Sequence, residues 1–411
     1  MNNFEHKIIY NLRISIPSKI LMVLVTTTPF LGTAFHLARN KFLEGTIEVS
    51  SGTINFGFIL FFIAAFFSIL IINISNLKKY KRPIKFARPI AISTGTFLLL
   101  YVMAMILFVV VYIAYFRVLG YVPILNLDRY FNQGHSLMSG YGYLKAICDT
   151  VLPVSLYFIS TFIYRRIRKK KSFVLGASLL CIIPAFLVLL LGQRGFFVLF
   201  ILSHTLLISI YVIKITLTRL ILGSIVAVLL TVGLGLARAN LMDGHSFQQI
   251  FLLDHHSEYS NYLKLIENKK EVVPTHNTFI SAITLLIPRK IYPEKDVWQP
   301  AGVVFSESLN HNFVAVGERI TLLGEFLMNY GYVAGLLVWS LAVFIWIKII
   351  NSHIITLNET TIIYTVLFSF LTVSFFYGDF TSFFYALITN ILPVQVLKTI
   401  FNNLFSRGTS Y

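Results

Sequence analysis

Arg194 lies in the middle of a long apolar stretch. The run from 173 to 213 is almost continuously apolar, and Arg194 interrupts it between Gly192 and Gly195. Two membrane spans of about 20 residues each would therefore meet at a membrane surface, with a guanidinium group at the turn. This group is planar, always charged and able to bind a phosphate through two hydrogen bonds. The sequence indicates an anion site, and a snorkelling side chain is the alternative.

Three more basic residues have surroundings that fit an anion site. Arg238 follows an apolar run and lies among small residues. Arg289 and Lys290 lie in a turn that Pro288 and Pro293 make stiff, because each proline fixes its own backbone angle. Charges held in this way suit a clamp for a diphosphate or a sugar acid. Ordinary solvated charges are the alternative at each position.

Two acidic residues lie within or between apolar runs, where carboxylates are uncommon. Glu325 falls about one turn inside an apolar run that begins near residue 321. An ionisable residue inside a membrane span is a functional hypothesis by default, and a structural partner for Arg319 or Arg289 is the alternative. Asp379 falls at the turn between the last two apolar runs, as a helix cap or as a further acidic member of the site.

Histidines supply the other candidates for proton transfer. His255 and His256 are adjacent, and together with Glu325 they are our candidates for a general base. His276 and His311 are more isolated. Neighbouring histidines rarely bind one metal together, so we predict no metal site.

Nucleotide-binding motifs are absent from the sequence. There is no GxxxxGK[ST] phosphate loop and no GxGxxG turn, so we predict no cofactor and no nucleotide site. A bond-forming reaction would then need a substrate that arrives already activated. A lipid-linked diphosphate fits this requirement, because its leaving group carries the energy.

The composition indicates which elements position these residues. Of the 411 residues, 56% are hydrophobic and 12% are charged, about half the charged fraction of a soluble domain, and the mean hydropathy is +0.77. This excludes a soluble globular enzyme and predicts an all-α polytopic membrane protein, because only helices satisfy the backbone of so many lipid-buried segments. The predicted spans are about 20–38, 55–75, 90–116, 146–164, 173–192, 196–213, 219–237, 321–347, 361–377 and 382–398.

Along the chain, connections rich in lysine and arginine alternate with connections that carry most of the acidic residues. With the N-terminus inside, the inner connections hold 20 of the 34 basic residues and only two of the 17 acids. This positive-inside pattern predicts that both termini are cytoplasmic and that the basic runs face anionic membrane lipid, rather than nucleic acid.

One connection is much longer than the others and is predicted to be outside. We divide the chain into an N-terminal bundle of about seven helices (1–237), an external loop (238–320) and about three C-terminal helices (321–411). Within the loop, the apolar spacing over 247–266 indicates a helix on the membrane surface, and 279–287 indicates a half-helix that Pro288 ends. Long loops on a rigid scaffold commonly carry function.

Three short stretches resemble motifs of the oligosaccharide repeat-unit polymerases, the Wzy-type polymerases of O-antigen and capsular polysaccharide. LLLGQRGFF is similar to their S/G-x-RG stretch, although Gln193 stands where a serine is often found. IPRKIYPEK and the later GERITLLGEFLMNYGYVAGLL resemble their IPR-x-x-x-P-x-K loop and G-E-x-x-x-N-x-G helix start. The motif matches cover about 190–197 and 285–335, and the layout of the spans is similar over most of the chain.

This resemblance implies a fold related to the C-type glycosyltransferases and a metal-independent enzyme. Such an enzyme joins repeat units carried on undecaprenyl diphosphate at the outer leaflet of the bacterial cytoplasmic membrane, alongside a flippase and a chain-length regulator. On this hypothesis, a base from the acidic or histidine candidates accepts the acceptor's proton. The diphosphate and glycan would be held by the basic candidates: Arg194, Arg238, Arg289, Lys290 and Arg319. An O-antigen ligase with the same donor chemistry and a transporter or flippase for the lipid-linked unit are the alternatives.

Overall fold

The structure of the protein is a computed structural model. It describes residues 15–42, 49–77, 85–86, 93–126, 142–168, 172, 174–192, 194–216, 218–219, 222–223, 257–269, 272, 274, 276–285, 287, 291–292, 294, 299–309, 320–352, 356–357 and 359–405.

These parts of the chain are almost entirely helical, with one pair of two-residue strands, β1 (Lys85–Phe86) and β2 (Thr356–Leu357). The helices are α1 (Ile16–Phe42), α2 (Ser51–Leu77), α3 (Thr94–Leu119), α4 (Gly142–Asp149), α5 (Val151–Arg168), α6 (Val174–Leu190), α7 (Arg194–Val212), α8 (Ser257–Glu267), α9 (Phe279–Leu285), α10 (Ala301–Ser308), α11 (Leu322–Ser352), α12 (Glu359–Tyr377) and α13 (Phe380–Phe405).

Membrane-length helices confirm the prediction of a polytopic helical membrane protein. Seven helical stretches in the described chain are long and apolar enough to cross a membrane, the α4–α5 pair counting as one, and α6 and α7 are shorter apolar helices. Each falls on a predicted span. The remaining predicted span, 219–237, lies outside the described residues except for Arg219, Leu222 and Gly223.

Helices α5 and α12 form the centre of the bundle. In each, 78% of the most apolar stretch is buried inside the protein, against 28% in α3, whose outward side chains are large and apolar. Buried hydroxyl groups of α12 donate to backbone carbonyls one turn earlier, as Thr365 does to Thr361 and Thr372 does to Phe368. These two hydroxyl groups are satisfied in this way, as an apolar surrounding favours.

Contacts between connections define the two ends of the bundle. At one end, β1 pairs in parallel with β2, so the chain after α2 meets the chain after α11. At the other end, the backbone N–H and the hydroxyl of Ser50 donate to Glu267 Oε2 at 3.3 and 3.0 Å. We call these the strand end and the carboxylate end. The grouping agrees with the charge pattern, which predicts 39–54 and 238–320 on one face and the connections around 78–88 and 353–358 on the other.

Helix α11 is broken at Gly331, whereas the sequence predicted one continuous span over 321–347. Gly331 has φ +76° and ψ −177°, a conformation that strongly favours glycine. A Cβ on Gly335 would lie 2.9 Å from Phe326 O, although residues nine apart in a straight helix are about 13 Å apart along its axis. The chain therefore bends sharply between a short half-helix, α11a (322–330), and a membrane-length half, α11b (332–352).

Candidate functional site at the carboxylate end

Glu325 lies in the first turn of α11a and is completely buried. Its Oε1 accepts a hydrogen bond from the hydroxyl of Thr278, and its Oε2 accepts one from the backbone N–H of Phe380, both at 2.5 Å. Thr278 directly precedes α9, and Phe380 is the first residue of α13. One carboxylate therefore joins three elements that are far apart in sequence.

Asn329, one turn after Glu325, completes this connection. Its side-chain Nδ2 lies 2.9 Å from both Thr278 Oγ1 and the backbone oxygen of Glu325, and donates to each. Its Oδ1 accepts from the backbone N–H of Thr278 at 3.2 Å. The hydroxyl of Thr278 thus accepts from Asn329 while it donates to Glu325, which fixes its orientation.

Asp379 caps α13, and it also lies beside Glu325. Its Oδ1 accepts from the backbone N–H of Ser382 at 2.7 Å, which confirms the capping interpretation. Asp379 also lies next to Phe380, whose N–H binds Glu325, so the two carboxylates are close together; a role of Asp379 in a functional site stays a prediction. The N-terminus of α13 carries a partial positive charge, which favours acidic side chains at this position.

Hydroxyl and aromatic contacts fix α9 against its neighbours. Ser281 Oγ lies 2.6 Å from Thr381 Oγ1, which is a hydrogen bond between α9 and α13. The ring of Phe279 packs against Phe326 and Phe380, with centroid distances of 5.3 and 4.9 Å. The rings of Phe279, Phe326 and Phe380 therefore pack together next to the polar contacts of Glu325.

Lys269 stabilises the broken end of α11a. Its Nζ donates to Met328 O at 2.9 Å, and in an unbroken helix this oxygen would accept from the residue four positions later. The non-helical Gly331 removes that partner, so the ammonium group takes its place, next to the negative end of the half-helix. Partial burial lowers the pKa of Lys269 from its usual value.

Helix α8 forms within the region where the sequence predicted a helix on the membrane surface, and it is buried in the protein. Tyr259 and Tyr262 are fully buried between α1 and α2. The hydroxyl of Tyr262 donates to Gly57 O at 3.0 Å, and that of Tyr259 lies 3.0 Å from Thr33 Oγ1. Burial raises the pKa of both tyrosines.

At the end of α8, Glu267 is tied to the start of α2. Hydrogen bonds from Thr53 and Ser50 hold the pKa of Glu267 below its usual value. Together with the tyrosine contacts, they make α8 a docked part of the helical scaffold.

A second polar cluster at this end was missed by the sequence analysis. Lys145 Nζ lies 2.7 and 2.6 Å from the two carboxylate oxygens of Asp149, and the hydroxyl of Tyr385 donates to Asp149 Oδ2 at 2.8 Å. The sequence pattern that could have revealed the cluster is an acid inside the predicted span 146–164 with a lysine four residues before it. The cluster joins α4 to α13 about five residues after Phe380.

Arg194 is the first residue of α7, and α7 runs parallel to α5. Ser155 Oγ lies 3.0 Å from His204 Nε2, and five residues further along α5 Ser160 Oγ lies 2.9 Å from Tyr211 OH. If both helices are traced from these contacts toward their N-termini, the start of α7 lies at the same end of the bundle as Asp149. The structure therefore brings the backbone of Arg194 to the carboxylate end, and the position of its side chain lies outside the described part.

His276 ties α9 to the chain before α10. Its Nε2 accepts from the backbone N–H of Gln299 at 3.1 Å, and Gln299 Nε2 donates to Glu307 Oε1 at 2.9 Å. This ring nitrogen is therefore engaged by the protein itself.

Six of the predicted site residues lie outside the described residues: Arg238, His255, His256, Arg289, Lys290 and Arg319. Within the described ranges, no group of three His, Cys, Asp or Glu residues is placed to hold a metal ion. The roles assigned to these six residues remain predictions.

Labelling of single cysteines tests the placement of Arg194. In a variant without Cys148 and Cys181, a membrane-impermeant maleimide should label Arg194→Cys and Ile291→Cys from the same face. Ile291 is 74% exposed in the segment that follows α9. Ser352→Cys, at the strand end, should be labelled only from the opposite face. Labelling of positions 194 and 291 from opposite faces would contradict the arrangement.

Comparisons of this chain with protein family models, with curated proteins and with solved structures found no match.

Proposed function

We propose that this protein is a glycan polymerase that joins lipid-diphosphate-linked oligosaccharide repeat units at the outer leaflet of the bacterial cytoplasmic membrane. The observation that carries the proposal is the contact between Thr278 and Glu325. It connects α9, which leads into the IPRKIYPEK stretch, with α11a, which carries the GEFLMNYG stretch. The helix that precedes one motif-like stretch is therefore joined to the other stretch, at the end of the bundle where the Arg194 helix begins.

In the proposed reaction, the sugar hydroxyl of one unit attacks the anomeric carbon of another. The carbon–oxygen bond to the diphosphate breaks, and the lipid diphosphate leaves with the bonding electron pair. Arg194 and Arg289, together with Arg238, Lys290 and Arg319, stabilise the charge that develops on this leaving group. A base, one of His255, His256 or Glu325, accepts the proton of the attacking hydroxyl. Direct displacement inverts the anomeric centre.

This proposal includes a fold related to the C-type glycosyltransferases, with both termini cytoplasmic and the carboxylate end outside. The reaction needs no nucleotide, because the donor arrives already activated, and the resemblance to the polymerases implies that it needs no metal. A flippase would supply the units, and a chain-length regulator is the expected partner.

Elongation by the purified protein tests the function. In detergent, with lipid-diphosphate-linked repeat units as the only substrate, the protein should produce a ladder of longer glycans and release the lipid diphosphate. A preparation that remains folded but leaves the units unchanged would refute the proposal. Because detergent has no membrane to cross, transport cannot produce this result.

A transporter for the lipid-linked unit is the second candidate, and the break in α11 favours it. Transporter folds use discontinuous membrane helices to form their substrate sites, and α11 is discontinuous at Gly331. Transport without elongation in sealed vesicles would support this candidate. A ligase would share the donor chemistry; deletion separates it from a polymerase, since loss of a ligase leaves no repeat units on the final acceptor and loss of a polymerase leaves single units.

A further inference from the structure

The surroundings of Glu325 differ from those expected for a base. A general base must come within hydrogen-bonding distance of the proton that it accepts, directly or through one water molecule. Glu325 is fully buried, and each of its side-chain oxygens already accepts a hydrogen bond from the protein. Phe279 and Phe326 pack against each other beside it. Both hydrogen bonds of its carboxylate are therefore made within the protein, to Thr278 and to the first N–H of α13.

These contacts determine where α9 lies. α9 has only seven residues, too few to be a stable helix alone, so its position depends on its contacts with neighbouring elements. At its start, Thr278 is held by Glu325 and Asn329, and Glu325 also binds the first N–H of α13. The chain after α9 reaches Arg289 four residues beyond Leu285.

We propose that Glu325, Thr278 and Asn329 form a positioning unit that holds α9, and with it the start of the diphosphate-binding stretch, against α13. This inference rests on the proposed function and refines it: Glu325 acts through Thr278, and the base is left to His255 or His256. The positioning unit thus determines how well the donor binds and takes no part in proton transfer.

Steady-state kinetics of the purified polymerase tests this role with three variants. Thr278→Val keeps the shape of the side chain and removes the hydroxyl, so it should raise KM for the lipid-linked donor about fivefold to tenfold, with kcat within about twofold. Thr278→Ser keeps the hydroxyl and should restore the normal KM. Glu325→Gln keeps one acceptor oxygen but turns an amide group toward the other donor, and it should also raise KM while leaving the pH profile unchanged.

Two controls separate positioning from a general loss of folding. Thr399→Val changes an exposed threonine of α13 far from Glu325 and should leave KM unchanged. Every variant is compared with the wild type by size-exclusion chromatography and thermal midpoint, so that KM is measured on folded protein only.

The outcomes that overturn this inference differ from those that overturn the function. If the wild type elongates but Glu325→Gln lowers kcat by about 10²-fold or more at unchanged KM and removes one limb of the pH profile, Glu325 is the base and the inference fails. It also fails if Thr278→Val has normal kinetics. If the folded wild type does not elongate lipid-linked units, the proposed function fails instead.

Discussion

Arg194→Ala and Arg289→Ala should each reduce glycan elongation by roughly 10²-fold or more, because each removes a cation from the departing diphosphate. In a strain that lacks the native protein, both variants should give single repeat units in place of a ladder of long polysaccharide. Arg194→Lys keeps the charge but loses the planar pair of donors, so it should restore only part of the activity.

Arg117→Ala is the matched control for these two variants. Arg117 is exposed in the last turn of α3, which ends on the same side of the bundle, because Tyr112 OH donates to Cys148 O near the start of α5. This substitution removes an arginine from the same region without removing a predicted phosphate contact, and it should leave the ladder unchanged. Long ladders from both test variants, at normal protein levels in the membrane, would refute the role of the two arginines.

Gly32→Ala should destabilise the folded protein by about 1–3 kcal/mol, the usual cost of overpacking. A Cβ on Gly32 would lie 2.5 Å from Cγ of the Tyr259 ring and within 2.9 Å of both Cδ atoms. The ring is buried and its hydroxyl contacts Thr33, so it has little freedom to move away. α8 would be pushed from its place against α1, and thermal denaturation in detergent should show a lower midpoint.

Gly52→Ala is the control for this prediction. Gly52 lies in the first turn of α2, and a Cβ there would have no atom within 4 Å. The substitution should be neutral or slightly stabilising, since alanine favours the helix over glycine. Equal midpoints for the two alanine variants would show that α8 does not pack against α1 as described.

Some site contacts follow from local sequence and others do not. Asp379 was predicted as a cap because it stands at the turn between two apolar runs, and the cap is confirmed. Glu325 was identified because a carboxylate in an apolar run is unusual. Thr278 gave no signal, because threonine is common in loops and at helix ends. Asn329 stood in the stretch that resembles G-E-x-x-x-N-x-G, but the pattern did not indicate its partners. Their importance arises only from their contacts with Glu325.

The break at Gly331 shows the same limit. The sequence around it is apolar enough to predict one long span, and glycine is common in membrane helices. Only the folded chain shows that Gly331 has a positive φ and that Gly335 packs against Phe326. The ammonium group of Lys269, 59 positions earlier than Met328, then binds the carbonyl that the break leaves without a helical partner.

The sequence by itself determined that the protein lies in lipid, that it is helical, and where most of its spans lie. It could do so because apolar length and backbone hydrogen bonding are local properties, and lipid permits few other solutions. The tertiary structure decided which residues meet: α9 and α11a at Glu325, α8 in the groove of α1 and α2, and α4 with α13 at Asp149. These contacts join residues up to 236 positions apart, and they depend on shape and hydrogen-bond geometry that no local pattern records.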